Sequence, residues 1–290
     1  MAEKQNIQWF PGHMTKAIRR IKESLRMVDL VAEIVDARLP QSSRNPDIDR
    51  LVKNKPRIIL LNKCDMANPN VTAMWVNYFN SKKIKAIPVD CKSGKGVKQF
   101  LPAVNELMKP SIEKWQQSGM VGRSIRIMIV GIPNVGKSSF INKLAGKTRA
   151  KAEDRPGVTR GNQWYTIDGN IELLDTPGVL WPKFDDPEVG EKLAFTGAVK
   201  DQILDIELLA VRLLEVFKEC PNQFFIERFK LQNENLDDYT PYEMLELVGR
   251  KRGMLVSGGE VDTERAANVL LDEYRGGKLG KVSLELPPRE

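Results

Sequence analysis

The residues with the most chemistry to offer are Gly131-Ile132-Pro133-Asn134-Val135-Gly136-Lys137-Ser138. An apolar run over 125–130 precedes them, and Phe140, Ile141 and Leu144 continue a helical pattern beyond. Strand, glycine-rich loop and helix start make a phosphate-binding loop, because glycine lets consecutive N–H groups curl onto one point. The helix that follows aims its positive end at the same point. Asn134, Val135, Gly136, Lys137, Ser138 and Ser139 are the expected contacts. Lys137 is placed to reach the β and γ oxygens of a polyphosphate, and the Ser138 hydroxyl to ligate Mg²⁺.

Three other stretches complete a nucleotide chemistry. Asp175-Thr176-Pro177-Gly178 follows an apolar strand; its carboxylate can hold a Mg²⁺ hydration shell and the Gly178 N–H can report on a γ-phosphate. Thr159, in Arg155-Pro156-Gly157-Val158-Thr159-Arg160, can close that shell. Asn62-Lys63-Cys64-Asp65 also ends a strand. A carboxylate at Asp65 can accept the ring N–H and the exocyclic amine of guanine, whereas adenine offers the wrong pattern and leaves the charge unpaired. That speaks against an ATP-using kinase or ATPase. Asn62 can brace the neighbouring loops and the Lys63 stem can lie along the base. Asp90-Cys91-Lys92-Ser93-Gly94 supplies a second base loop through Cys91 and Lys92.

The set resembles the translation-factor-type GTPases in rotated order, with both base-reading motifs ahead of the phosphate loop. That is the pattern of the circularly permuted GTPases. Trp9-Phe10-Pro11-Gly12-His13-Met14, Asp36-Ala37-Arg38-Leu39-Pro40 with Ser43-Arg44-Asn45-Pro46, and the segment from Asp175 to Pro182 are similar to the bacterial ribosome biogenesis GTPase A (YlqF) family. The resemblance covers the whole chain. It departs where many GTPases have Ser-Ala-Lys and this chain has Asp90-Cys91-Lys92.

The resemblance implies GTP hydrolysis, slow alone and stimulated by the large ribosomal subunit, with GTP, GDP and rRNA as partners. It implies K⁺ at Asn134 beside the Mg²⁺ held by Ser138, Thr159 and Asp175. Where many GTPases carry a water-orienting glutamine after Asp-x-x-Gly, this chain has Val179, which cannot hydrogen-bond water. His13, the lone histidine, is the alternative, joining Lys137 as a catalytic residue; anchoring the first helix is its other reading. A GTP-gated binding protein for tRNA or another protein is the second functional class.

Strand-like runs at 30–35, 57–61, 84–89 and 125–130 alternate with helical patterns near Pro46 and over 71–79 and 97–108. A hairpin pairs 163–167 with 171–174. The fold class is therefore α/β, a mostly parallel sheet with helices on both faces. A polar connector is expected over 110–124. Beyond Pro187 the periodicity is helical only, as in 206–217, 241–248 and 263–274. The expected organisation is a permuted GTPase domain over 1–185, opening with a basic segment and helix over 1–28, and a smaller all-helical, RNA-binding-type domain over 186–290.

Charge agrees with a polyanionic partner. The chain carries +7 in all, yet from Gly190 onward 19 acidic residues outnumber 14 basic ones, so the basic surplus lies in the front of the chain. Lys16, Arg19 and Arg20 on the first helix, and Arg250-Lys251-Arg252, are candidate RNA contacts. A solvated helix face and a helix end neutralising its own dipole are the competing readings. No apolar run is long enough to span a bilayer, and residues 1–30 lack a signal peptide's apolar stretch. Three cysteines without metal-ligand spacing suit a reducing cytoplasm, and a monomer is expected.

Overall fold

The computed structural model describes residues 12–52, 55–146, 152–153, 163–167, 169–181, 184–219 and 222–288, without the side chains of residues 12, 13, 152, 153 and 202. Among the described residues two compact units emerge: those from Gly12 to Trp181 with Ser283–Pro288, and those from Phe184 to Val282.

The first unit opens with helix α1 (Gly12–Ser24), whose Met14, Ala17 and Ile21 are buried while Lys16 and Arg19 face outward. Strand β1 (Leu30–Asp36), helix α2 (Pro46–Val52), strand β2 (Arg57–Asn62), helix α3 (Pro69–Ser81) and strand β3 (Lys85–Pro88) follow. Helix α4 (Phe100–Gln117) leads to β4 (Ile125–Val130), and α5 (Lys137–Ala145) follows the glycine-rich loop. Strands β5 (Ala152–Glu153), β6 (Gln163–Ile167) and β7 (Ile171–Asp175) complete one seven-stranded sheet, ordered β3-β2-β1-β4-β7-β6-β5. From β3 to β7 all neighbours are parallel; β6 and β5 add an antiparallel edge. Every residue of β1 is buried, as the unbroken apolar runs of a sheet covered on both faces require.

The expected connector begins later than the composition indicates. Helix α4 runs through Pro110 to Gln117, leaving only 118–124 outside regular structure. The polar content over 110–117 is helix surface. The proline removes one N–H from a helix whose buried face, Phe100, Ala103, Val104 and Met108, lies before it.

The second unit holds α6 (Pro187–Phe195), α7 (Ile206–Glu219), α8 (Gln223–Arg228), α9 (Pro241–Lys251) and α10 (Thr263–Arg275). Helices α7, α9 and α10 pack on one another around Leu213, Leu214, Met244, Leu245, Leu270 and Leu271. A capping box between Thr240 and Glu243 starts α9. This unit ends at Val282, whereas the sequence runs the helical region from 186 to 290. Ser283–Pro288 group with the sheet, where 283–285 hydrogen-bond to Asn68, Arg38, Gln41, Ser42 and Trp75. No helix among the described residues is long and apolar enough to cross a membrane.

Candidate functional site

Strand β4 ends at Val130 and the chain curls before α5 begins at Lys137. Asn134 at φ 59° and Gly136 at φ 98° make the curl possible. Among the described residues no side-chain hydrogen bond caps the first turn of α5 at Gly136. At Gly136 a Cβ would stand 2.3 Å from the Asn62 Nδ2, which only glycine avoids. Lys137 is buried and its Nζ donates to the carbonyls of Gly131 (3.2 Å) and Ile132 (2.8 Å). Burial pushes its pKa down to about 8, against the opposing pull of Asp175.

A cavity of about 390 Å³ opens over this loop, lined by Asn134, Lys137, Ser138, Gln163, Asp175 and Gly178 among others. Burial raises the Asp175 pKa, with Lys137 opposing. Its Oδ1 is buried and has no hydrogen-bond partner among the described residues. An orphaned carboxylate oxygen and the exposed Ser138 hydroxyl lining one cavity are donors that fit a hydrated Mg²⁺. The Gly178 backbone lies so close to the loop that a Cβ would come within 2.8 Å of Pro133 N and Cα. Val179 is fully buried, its N–H directed to the Gly131 carbonyl (3.4 Å) and its own carbonyl taken by Asn45 Nδ2 (2.9 Å).

The base-side loops meet this one through Asn62, at the end of β2. Its Nδ2 donates to the Val135 carbonyl (2.7 Å) and its Oδ1 accepts the Cys91 N–H (3.2 Å). Three loops from distant sequence are thereby joined. Lys63, at φ 60°, directs its Nζ to Asp36 Oδ2 (3.0 Å), and the Arg38 guanidinium grips the same carboxylate. Burial alone would raise the Asp36 pKa, but Arg38 and Lys63 hold it well below the usual carboxylate range. Asp65 is exposed just beyond. Asp90 Oδ1 accepts the N–H groups of Lys92 (2.8 Å) and Ser93 (3.2 Å), which shapes the second loop. Burial pushes the Cys91 thiol up to about 12, so this residue offers its backbone and no thiolate.

Of the sequence-predicted phosphate-loop residues, Asn134, Lys137 and Ser138 share one cavity with Asp175 and Gly178, while Val135, Gly136 and Ser139 do not line it; Asn62 ties the loops at 62–65 and 90–94 to the phosphate loop. The His13 side chain and Thr159 lie outside the described residues. Gln163 was not singled out by sequence; it lines the cavity because it stands directly opposite Asp175 in the β6–β7 pairing. A polar residue at the open end of a hairpin strand was the signal available for it. Ser43 and Asn45 belong to the family-like motif Ser43-Arg44-Asn45-Pro46, which carries no sign of the contacts they make with Asp36 and Val179. Of the basic candidates in the helical unit, Arg250 is exposed with Glu246 at 3.8 Å, Lys251 pairs more closely with Glu234 (2.7 Å), and Arg252 pairs with Glu273 (3.3 Å) while lying over Phe229. On α1, Lys16 and Arg19 are exposed, Arg19 near Glu23 (3.4 Å), and Arg20 is half-buried.

A phosphate loop between β4 and α5, with an Asn-Lys-x-Asp sequence ending the strand two places along the sheet, defines a P-loop GTPase in which the usual motif order is rotated. Comparison with known proteins carries this further. A family described as "50S ribosome-binding GTPase" matches residues 126–242. Ribosome biogenesis GTPase A of Bacillus cereus is 48% identical over 281 residues, covering 97% of this chain and 94% of that protein. The Thermotoga maritima protein of the same name is 34% identical, covering 97% and 95%. A crystal structure of GNP-bound YlqF from T. maritima superposes with a TM-score of 0.66 at 30% identity, covering 94% of this chain and 98% of that one. The chain belongs to the ribosome biogenesis GTPase A (YlqF) family.

Proposed function

We propose that this chain is a cytoplasmic GTPase of large-subunit assembly, binding the maturing ribosomal particle in one nucleotide state and leaving after hydrolysis. The observation that carries the reading is Asn62, whose single carboxamide links the phosphate loop at Val135 to both base loops. In this reading Asp65 accepts the guanine edge, Lys63 lies along the ring, and the Cys91 N–H and Lys92 complete the base pocket. The backbone of Asn134 to Ser139 and the Lys137 ammonium hold the phosphates, while Gly178 contacts the γ-phosphate. Ser138, Asp175 and Thr159 hold Mg²⁺. Bound there, that ion neutralises charge building on the β and γ oxygens.

Intrinsic turnover is slow on this reading, because Val179 is buried in the core and cannot orient water. His13 and K⁺ at Asn134 supply what the site lacks once the particle is bound. Lys16, Arg19, Arg20 and Arg250 are the RNA contacts favoured by their surroundings. Lys251 and Arg252 are drawn into ion pairs within their own unit. The protein works as a monomer.

The deciding experiment is GTP turnover with and without large subunits, in KCl and in NaCl. Stimulation by the subunits is expected, greater in K⁺. Equal turnover in all four conditions excludes the assembly reading and the K⁺ site together.

A further inference from the structure

Residues 283–286 belong to the sheet unit and lie across two of its loops. One is the turn over 37–45 that follows β1. The other is the start of α3, which follows Asn62-Lys63-Cys64-Asp65. The Ser283 hydroxyl oxygen accepts the Asn68 N–H (3.0 Å), and the Leu284 N–H donates to the Arg38 carbonyl (2.7 Å). The Glu285 carbonyl accepts the Trp75 indole N–H (3.1 Å); Trp75 is fully buried, so this bond satisfies a donor with little access to water. The Glu285 carboxylate gathers the N–H groups of Gln41 (2.9 Å) and Ser42 (3.1 Å) on one oxygen and the Ser42 hydroxyl on the other. Two successive N–H groups and a hydroxyl converging on one carboxylate form a fastening that a neutral side chain cannot match.

The 37–45 turn contacts the proposed nucleotide site at one end through Lys63, and at the other a neighbour of the cavity-lining Gly178. At its root, Asp36 holds Lys63, and Ser43 Oγ accepts the Asp36 N–H (3.0 Å). At its far end, Asn45 holds the carbonyl of Val179, the residue after Gly178. Arg38, Ser42, Ser43 and Asn45 are all buried, so the turn transmits a displacement instead of absorbing it.

We propose that Glu285 is a positioning residue for nucleotide binding: by fastening 283–286 across both loops, it keeps Lys63 under the base and Gly178 beside the phosphate loop. The inference rests on the base and γ-phosphate roles assigned above. Glu285 touches no nucleotide; it acts through Ser42 and the turn.

The test uses the full chain carrying Glu285→Ala, Ser42→Ala, both together, and Asp65→Asn as a control on the base site. Fluorescent GDP and a GTP analogue give Kd and release rates; turnover gives KM and kcat; heating gives Tm without nucleotide. Glu285→Ala is expected to raise Kd for both nucleotides about tenfold, mainly through faster release, with KM rising and kcat at saturation within about twofold. Ser42→Ala should shift Kd in the same direction, and the double variant should be no worse than Glu285→Ala. A Kd within about twofold of the parent, or singles that multiply in the double, overturns the proposal. Should Glu285→Ala fail to fold, Glu285→Gln carries the same measurement, with a smaller rise in Kd expected and none overturning it. If Asp65→Asn keeps full guanine preference, the base-site reading falls and the proposal with it, a result distinct from failure of the Glu285 variants alone.

Discussion

Asn62 Nδ2 lies 2.7 Å from the Val135 carbonyl oxygen, across a sequence separation of 73 residues. The bond spans β1, which runs between the strands that carry the two residues. It joins the loop that ends β2 directly to the glycine-rich loop after β4.

Replacing Asn62 with alanine strands two buried backbone groups, the Val135 carbonyl and the Cys91 N–H. Each unsatisfied group costs about 1–3 kcal/mol. GTP titration should show at least about tenfold weaker binding, and urea unfolding a matching loss of stability. Unchanged affinity would mean that the loops hold their places without this bridge.

Asp65→Asn should exchange one base for another. The amide still accepts the ring N–H but now donates where guanine also donates, while xanthine presents a carbonyl at that position. Binding of GTP is expected to fall and binding of XTP to rise, read by competition against a fluorescent nucleotide. Loss of both to the same degree would point to a folding defect.

The pH dependence follows from Lys137. In the free protein its pKa is pushed down to about 8 by burial, and a polyphosphate requires the ammonium form. Affinity for GTP should therefore be flat below pH 8 and fall above it, by about tenfold per pH unit at the limit. Binding above pH 8 should take up a proton, measurable by calorimetry in buffers of different ionisation enthalpy. The sign for folding is opposite: because burial disfavours the charged form, this group makes the free protein more stable as pH rises from about 8 toward 10.5.

Gly178→Ala places a methyl 2.8 Å from Pro133 N and Cα. The loop must withdraw from the phosphate side. Turnover is expected to drop at least about tenfold, while GDP affinity stays within about twofold. Parallel loss of both would show that the substitution disrupts the phosphate loop itself.

Adjacent basic residues in the helical unit should separate by role. Arg252→Ala removes the Glu273 pair and the stacking on Phe229, and should cost about 1–2 kcal/mol in thermal or urea unfolding. Arg250→Ala, at an exposed side chain, should leave stability unchanged and weaken association with large subunits in a salt-dependent way.

The positions legible from sequence were those whose chemistry depends on neighbours in the chain. Strand β4 with its glycine loop, and the apolar runs of β1 and β2, carry their own signals of period and composition. The cavity residues found only in the fold depend on pairing across strands or between loops. Gln163 enters the site because β6 pairs in a register that sets it opposite Asp175. Asn45, outside the cavity, meets Val179 because a turn after β1 reaches the segment after β7. Helix α4 runs past Met108 to Gln117 because the polar content over 110–117, which resembles a connector, is the exposed surface of a helix whose buried contacts come before it. Arg252 is by sequence a candidate RNA contact or a helix end neutralising its own dipole, and the fold lays its planar side chain against the Phe229 ring.

The sheet unit is discontinuous along the chain, since Pro182–Val282 intervene before Ser283 returns to it. During translation the phosphate loop and both base loops emerge first, and the whole helical unit must be synthesised before Glu285 exists to close over Ser42. Each newly made molecule thus passes through an interval in which its nucleotide motifs are all present but their outer fastening is not. If Glu285 positions the site as proposed above, an early GTP encounter in that interval meets a looser site than the finished protein offers.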